Sequence, residues 1–497
     1  MALVVQSVKK VSIIGSGVAG LATACRLAAQ GFSVTLFEAN AYPGGKLTEF
    51  SLEGYRFDAG PSLFTMPQFL DDVFVACGKN PREYYSYQKI DTSCHYFFED
   101  GTQLQAHADP QRLAQEIETK LGVPGTRVLD YLQDSQNIYE RVGHIFLENS
   151  LHKARTWFTE EVARALPGLL SYGLFTTLNK ANKSKLGEAR LVQLFNRYAT
   201  YNGSNPYQAP GILASIPHLE FNVGTFLPCG GMHTITRALY QLAVDMGVDF
   251  RFETPVRQIE LSGKTARSLR TDTGLHEADC VVSNMDVYPT YRKLLPTVHA
   301  PERTLRQERS SSALIFYWGM QRTFPELDLH NIFFSADYRH EFECLFRTHT
   351  LSADPTVYIN ITSKYEKADA PPGGENWFVM VNAPANKGQA WDELIAQSRQ
   401  HIIAKINRLL GTSVEPLIAT EHILDPRTIE SRTGSYQGSL YGTSSNNRFA
   451  AFLRHPNFSR QIPNLFFCGG SAHPGGGIPL CLQSARITAH LVVEQFS

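Results

Sequence analysis

The chain carries almost no excess charge: 46 Lys and Arg against 47 Asp and Glu leave a formal net charge of -1 over 497 residues. So balanced a composition excludes the cationic field by which proteins engage a polyanion, and no nucleic-acid partner is expected. No apolar run reaches the roughly 18 residues that a bilayer-spanning helix requires. The eight cysteines show no CxxC pair and no metal-ligand spacing. Neither a disulfide framework nor a metal site is expected, and free thiols fit a reducing, cytoplasmic compartment. The start of the chain runs apolar before basic, Leu3-Val4-Val5 and then Lys9-Lys10. That is the reverse order of a secretory signal, so none is expected. A Ser/His/Asp constellation is missing too. The 43% hydrophobic and 19% charged content is globular, and the length suits two or three domains around a large core.

The strongest positive signal is residues 11 to 38. The apolar run Val11-Ser12-Ile13-Ile14 enters Gly15-Ser16-Gly17-Val18-Ala19-Gly20, a helix-forming stretch follows to Ala29, and Val34-Thr35-Leu36-Phe37 resumes a strand that Glu38 closes. In this order Gly15 permits the tight turn, Gly17 lets a pyrophosphate approach the backbone, and Gly20 lets the helix pack on the strands. The helix start, at Val18 and Ala19, offers free N–H groups and a partial positive charge to phosphate. Glu38, with Ala39 after it, falls where a carboxylate can accept hydrogen bonds from the ribose hydroxyls of an adenosine. One such fingerprint is present; the glycines at 434, 438 and 442 and at 475 to 477 lack a following strand and acid, so a second dinucleotide site is not expected.

A second glycine cluster follows directly: Pro43-Gly44-Gly45-Lys46, then Gly54-Tyr55-Arg56-Phe57-Asp58-Ala59-Gly60-Pro61-Ser62. Paired glycines let backbone N–H groups reach an anion that Lys46 would neutralise. Taken together, GxGxxG, an acid, PGGK and GYRFDAGP resemble the amine-oxidase-type flavoproteins, and within them the bacterial phytoene-desaturase-type carotenoid desaturases. The resemblance implies FAD with its diphosphate on both loops. Further along, Asn205-Pro206-Tyr207 to Ile212 and Phe226-Leu227-Pro228-Cys229-Gly230-Gly231-Met232 resemble family segments that line the polyene channel and return the chain to the flavin domain. Val256 matches the valine whose backbone faces the adenine. Near the end, Gly469-Gly470-Ser471-Ala472-His473-Pro474-Gly475-Gly476-Gly477-Ile478-Pro479 resembles the desaturase signature that aims a helix start at the flavin, so Gly469, Gly470, Gly477, Ile478 and Pro479 are expected at the cofactor. Many members of the superfamily place an acid after the glycine, where this chain has Gly470-Ser471. GGSxHPGGG resembles the subgroup acting on hydroxylated or partly desaturated carotenoids, nearest the hydroxycarotenoid 3,4-desaturases, which speaks against phytoene as the substrate.

Local patterns fill in the rest. Glu99-Asp100-Gly101 reads as a hairpin turn, 109 to 148 as helical with Asp109-Pro110 at its start, 232 to 246 and 391 to 410 as helices, and 248 to 285 as strands. Residues 198 to 236 carry a single formal charge, Glu220, and Pro206, Pro210 and Pro217 forbid one continuous helix. Residues 165 to 179 hold no charge at all and are flanked by Arg164, Lys180, Lys183 and Lys185. That stretch is long enough to dip into a lipid surface and equally suits burial against the protein.

The fold class expected is α/β, with α+β character in the second domain. A Rossmann-like FAD domain is expected from 1–80, 228–290 and 425–497, a substrate domain from 81–140 and 291–424, and a helical, membrane-facing lobe from 141–227. The function expected is desaturation of an acyclic or monocyclic, hydroxylated carotenoid, with oxygen or a quinone as electron acceptor and peripheral attachment to a membrane. The same fold would also suit a carotenoid cis–trans isomerase, a polyene saturase or a flavin-free prenyl-protein chaperone. Glu220 is a candidate base, since burial would raise its pKa, though a hydrogen-bonded structural carboxylate satisfies the same pattern. His473, beside the glycine loop, is the second catalytic candidate.

Overall fold

The computed structural model describes residues 8–160, 162, 173, 175–447 and 449–496. Its first layer is a five-stranded parallel sheet in the order Leu465–Phe467, Cys280–Ser283, Lys10–Ile14, Ser33–Phe37, Asp249–Arg251. These strands read as near-continuous apolar runs because helices cover both faces. The helix Val18–Ala29 buries Leu21, Ala22, Cys25 and Leu27 among residues of the helices Thr234–Asp245 and Ile478–Phe496. Gly20 lets the start of this helix lie close against the turn that leads into it: a Cβ there would lie 2.1 Å from the Gly15 carbonyl oxygen.

Segments from the start, middle and end of the chain thus meet in one sheet. A three-stranded antiparallel sheet, Val256–Ser262, Thr265–Thr271 and Gly274–Glu277, extends from the same layer.

The second large sheet has seven strands, in the order Ile418–Leu424, Ser312–Met320, Glu375–Ala383, Val357–Asn360, His330–Phe333, Thr92–Phe97, Gln103–His107. The hairpin expected at Asp100-Gly101 forms its last pair. Period-2 alternation gives the sheet two different faces. Phe97, Phe333, Ile359, Val379, Trp318 and Trp377 form a dry outer face under the helix Trp391–Leu410. The inner face presents Tyr96, His330, Ile332, Tyr358, Asn360, Phe378 and Met380, and part of it packs on helices of the 110–223 region.

Those helices follow the sequence pattern with local breaks. The 109–148 stretch forms Pro110–Leu121 and Gly125–Glu148, divided where Gly122 takes φ +67° and stops the first helix. Asp109 Oδ1 accepts from the backbone N–H of Gln111 and Arg112, as its place before Pro110 led one to expect. Residues 197–223 become short turns rather than one helix. Of the uncharged stretch 165–179, residues 165–172 and 174 lie outside the described residues. The final helix runs Ile478–Phe496.

Candidate functional site

The first glycine turn stands at the carboxyl end of the strand Lys10–Ile14, where open parallel sheets hold their ligands. Gly15, at φ +95°, donates its N–H to Phe37 O at 2.8 Å, which fixes the turn against the next strand. Gly17 is the extended residue before the helix, and the N–H groups of Val18, Ala19 and Gly20 have no acceptor within the first helical turn. The second loop closes directly over the first: Gly44 N–H donates to Ser16 O at 2.9 Å, and Gly17 and Gly44 form a backbone bridge. The 60–62 loop locks onto it in turn, since a Cβ on Gly60 would sit 1.8 Å from Lys46 O. Three glycine segments separate in sequence therefore share one concave backbone surface.

Glu38 lies at the far end of this surface and is 6% exposed. Its Oε2 accepts from Ser16 N and Oγ at 2.8 and 2.6 Å; its Oε1 accepts from Asn40 N and Nδ2 at 2.9 and 2.8 Å. Two of those four donors are side chains that can swing aside, which leaves two acceptor positions for a diol. Ala39 is exposed beside it, and the Thr254 N–H to Glu38 O bond, 2.8 Å, brings the strand that starts at Val256 to the same end.

Lys46 corrects the sequence reading. The glycines before it, at φ +120° and +61°, turn the chain so that its Nζ donates to Ser439 O and Leu440 O, at 3.1 and 2.9 Å, and not toward an anion on the glycine turns. Burial pulls its pKa down to about 8, against the opposing pull of Asp286.

Several residues that sequence reasoning missed complete this end of the site. Asn284 follows the strand Cys280–Ser283, and its Oδ1 stands 2.8 Å from where a Cβ on Gly17 would be, while its Nδ2 donates to Cys468 O at 3.2 Å. Arg309 pairs with Asp286 and donates to Ser439 Oγ. Arg454, buried, donates to the carbonyls of Tyr441, Thr443 and Gly470. Burial lowers the Arg454 pKa to about 10. Lys46, Arg309 and Arg454, with Asp286 paired to Arg309, bring positive charge to the space around residues 439–441 and Gly470. The rule that ligands collect at strand carboxyl ends would have singled out Asn284; the two arginines carry no motif.

At Gly470, a Cβ would come within 3.3 Å of Gly476 Cα, so this loop folds tightly on itself before the helix Ile478–Phe496. Ser471 Oγ accepts the Val287 N–H at 3.0 Å. Pro479 has no N–H, leaving those of Ile478 and Leu480 as the free donors of the first turn.

The catalytic candidates stand elsewhere. Glu220, 1% exposed, accepts two hydrogen bonds from Arg197 Nη2, at 2.7 and 2.9 Å, and another from the Tyr201 hydroxyl. Tyr96 and Tyr198 also hydrogen-bond to the Arg197 guanidinium. The apolar surround expected for Glu220 is instead a buried ion pair ringed by tyrosine hydroxyls, which fits the structural carboxylate. His473 is buried, with Nε2 at 2.9 Å from Asn149 O and its ring edge-on to His152. Burial pulls its pKa down to about 3, so it is a neutral group that ties the glycine loop to the end of the helix Gly125–Glu148.

Residues 18–493 match the family model described as flavin containing amine oxidoreductase. The chain is 51% identical over 484 residues to a 1-hydroxycarotenoid 3,4-desaturase of Flavobacterium sp., covering 97% of this chain and 99% of the relative. It is 32% identical over 497 residues to a 4,4'-diapolycopene oxygenase of Methylomonas sp., covering 98% of each. Among solved structures, cyclohexylamine oxidase from Brevibacterium oxydans superposes with a TM-score of 0.62 at 14% identity, covering 98% of this chain and 99% of the other, a likeness of fold.

Proposed function

Because the chain belongs to the flavin containing amine oxidoreductase family, we propose that it is an FAD-dependent carotenoid desaturase, acting on an acyclic or monocyclic carotenoid that carries a hydroxyl. The observation that carries this reading is the 51% identity spread over 97% of the chain.

The residues present fit FAD. The interlocked glycines at 15, 17, 44, 45 and 60 leave bare backbone where a diphosphate must come close, and Glu38 has two exchangeable donors that ribose hydroxyls can replace. Gly15, Gly17, Val18, Ala19 and Gly20 would hold the diphosphate with Gly44 and Gly45. Glu38, Ala39 and Val256 would take the adenosine. Gly60, Pro61, Ser62, Gly469, Gly470, Gly477, Ile478 and Pro479 would face the ring end. Bound there, FAD supplies the hydride acceptor that removal of hydrogen from an unactivated C–C bond requires.

The protein's share is placement, exclusion of water and electrostatics. Lys46, Arg309 and Arg454 hold positive charge where the ring end would gain negative charge. The inner sheet face, with Ile332, Phe378 and Met380, gives an apolar wall along which a polyene can lie. A conjugated chain spreads the charge left on the substrate, so loss of the proton from the neighbouring carbon needs only a weak acceptor. We assign Glu220 to holding the wall rather than to that proton. Oxygen or a quinone would take the electrons, and no nicotinamide is needed. Incubation with acyclic and monocyclic carotenoids, with and without terminal hydroxyls, tests the reading; loss of two hydrogens from a hydroxylated member supports it, and no reaction with any member defeats it.

A polyene of this kind is confined to lipid, so we place the enzyme at a membrane surface. No helix among the described residues is long and apolar enough to cross one. Phe158 and Phe175, on either side of residues 161–174, are 88% and 65% exposed, with Lys180, Lys183 and Lys185 exposed nearby. Aromatic side chains and cations together suit an anionic lipid interface. Replacing Phe158 and Phe175 with Asp is expected to cut sedimentation with anionic liposomes several-fold while leaving bound flavin intact. Equal sedimentation would move the contact elsewhere.

A further inference from the structure

On the inner face of the seven-stranded sheet, His330 is 2% exposed and one of its ring nitrogens, Nε2, has no partner among the described residues. The other nitrogen is fully engaged. Asn360 Nδ2 donates to Leu329 O at 3.0 Å and faces His330 Nδ1 at 3.2 Å. An amide NH2 can only donate, so Nδ1 is the acceptor and the proton belongs on Nε2. The Tyr358 hydroxyl, 2.8 Å from Nδ1, then donates to it too, and Ser62 Oγ, 2.9 Å from that hydroxyl, donates to Tyr358. Burial and the neighbouring Arg197 charge pull the His330 pKa down to about 3, so the ring is neutral and its tautomer is set. The result is a buried N–H donor with no acceptor among the described residues, beside a mostly apolar surface. Such a donor bears its full desolvation cost until an acceptor arrives.

Two further observations place it at the substrate. Tyr358, Met380 and Ser62 keep part of their surface open while the residues behind them are dry, so accessible surface lies on this face next to His330. Ser62 also belongs to the loop assigned to the cofactor, so Ser62, Tyr358 and His330 form a hydrogen-bonded chain from that loop to the unpaired donor. In a 1-hydroxylated carotenoid the oxygen is three bonds from C3, the nearer carbon of the bond that 3,4-desaturation oxidises. An anchor for that oxygen must therefore lie close beside the cofactor.

Resting on the carotenoid reading above, we propose that His330 Nε2–H is the specificity-determining contact of this enzyme: it donates to the terminal oxygen of the substrate, with Tyr358 and Ser62 setting its tautomer. A pure hydrocarbon end would leave the donor unpaired, so the site selects against it. A site built to bond a hydroxyl discriminates far more strongly than a hydrophobic pocket can.

The test is the ratio of kcat/KM for a 1-hydroxylated acyclic carotenoid to that for the matching hydrocarbon, both delivered in liposomes to FAD-loaded enzyme. His330→Leu should lower this ratio by at least about tenfold, mostly through KM for the hydroxylated substrate. Should that variant fail to fold, Tyr358→Phe, which frees the tautomer, reads the same ratio and should lower it by a smaller factor. A ratio unchanged in the folded variant, with both substrates slowed alike, overturns the anchor while the desaturase reading stands. Wild-type protein inert on both carotenoids overturns the reading and the anchor together.

Discussion

Gly17→Val protein is expected to purify folded but colourless. Gly17 sits at the start of the helix Val18–Ala29 in extended backbone that valine can adopt, so the substitution does not break the turn itself. A side chain there would instead project toward the Asn284 side chain, whose Oδ1 stands only 2.8 Å from the added Cβ, and into the approach path of a diphosphate. Losing two or more charge-assisted hydrogen bonds, at about 1.5–3 kcal/mol each, weakens FAD binding by roughly a hundredfold or more. Flavin released by denaturation, measured against protein whose circular dichroism matches wild type, reads the effect. Normal flavin content in folded Gly17→Val protein would remove the first glycine turn from the cofactor site.

The second large effect is expected at the buried ion pair. Arg197 and Glu220 have side chains 9% and 1% exposed, and the guanidinium bonds both oxygens of the carboxylate. Arg197→Met leaves a charge with no counter-ion inside the protein, which costs about 3–5 kcal/mol. Glu220→Gln strands the guanidinium less severely, because the amide oxygen still accepts; about 1–3 kcal/mol is expected. The double variant should lose less than the sum of the two, the mark of a direct pair. Thermal midpoints of the flavin-loaded proteins give the comparison. The same Glu220→Gln protein also measures the rival assignment: turnover per folded molecule should stay within a few-fold of wild type, whereas a fall of about 100-fold would restore Glu220 as general base.

Residues 11–38 were legible because most of what they need is local: turn, helix start and ribose acid lie within one βαβ unit, and the Gly15 carbonyl inside it demands Gly20, whereas the side chain that crowds Gly17 is the distant Asn284. The interlocking of that unit with PGGK and GYRFDAGP was legible through resemblance, and the structure gives the physical reason, a Gly60 that can carry no Cβ beside the Lys46 carbonyl. Direction was not legible. Lys46 reads as an anion partner in sequence and turns to the carbonyls of residues 439 and 440, 393 residues or more away, because two positive-φ glycines reverse the chain before it. Glu220 reads as a lone charge because its partner, Arg197, lies 23 residues upstream in a different turn. His330 gave no signal at all. What defines it is strand register, which pairs His330 with Asn360 across the sheet and sets Tyr358 two residues before Asn360 on the same face. Contacts of that kind are made by the folded sheet and leave no motif in any one segment.

The most direct measurement of the whole account is a single turnover without oxygen. FAD-loaded protein is mixed anaerobically with a 1-hydroxylated acyclic carotenoid in liposomes, no nicotinamide present, and flavin absorbance and carotenoid mass are followed together. The account predicts bleaching of the yellow flavin band in step with a carotenoid lighter by two hydrogens and absorbing further to the red. A flavin that stays oxidised while the carotenoid keeps its mass, as isomerisation would give, or a product that gains hydrogens, would contradict it.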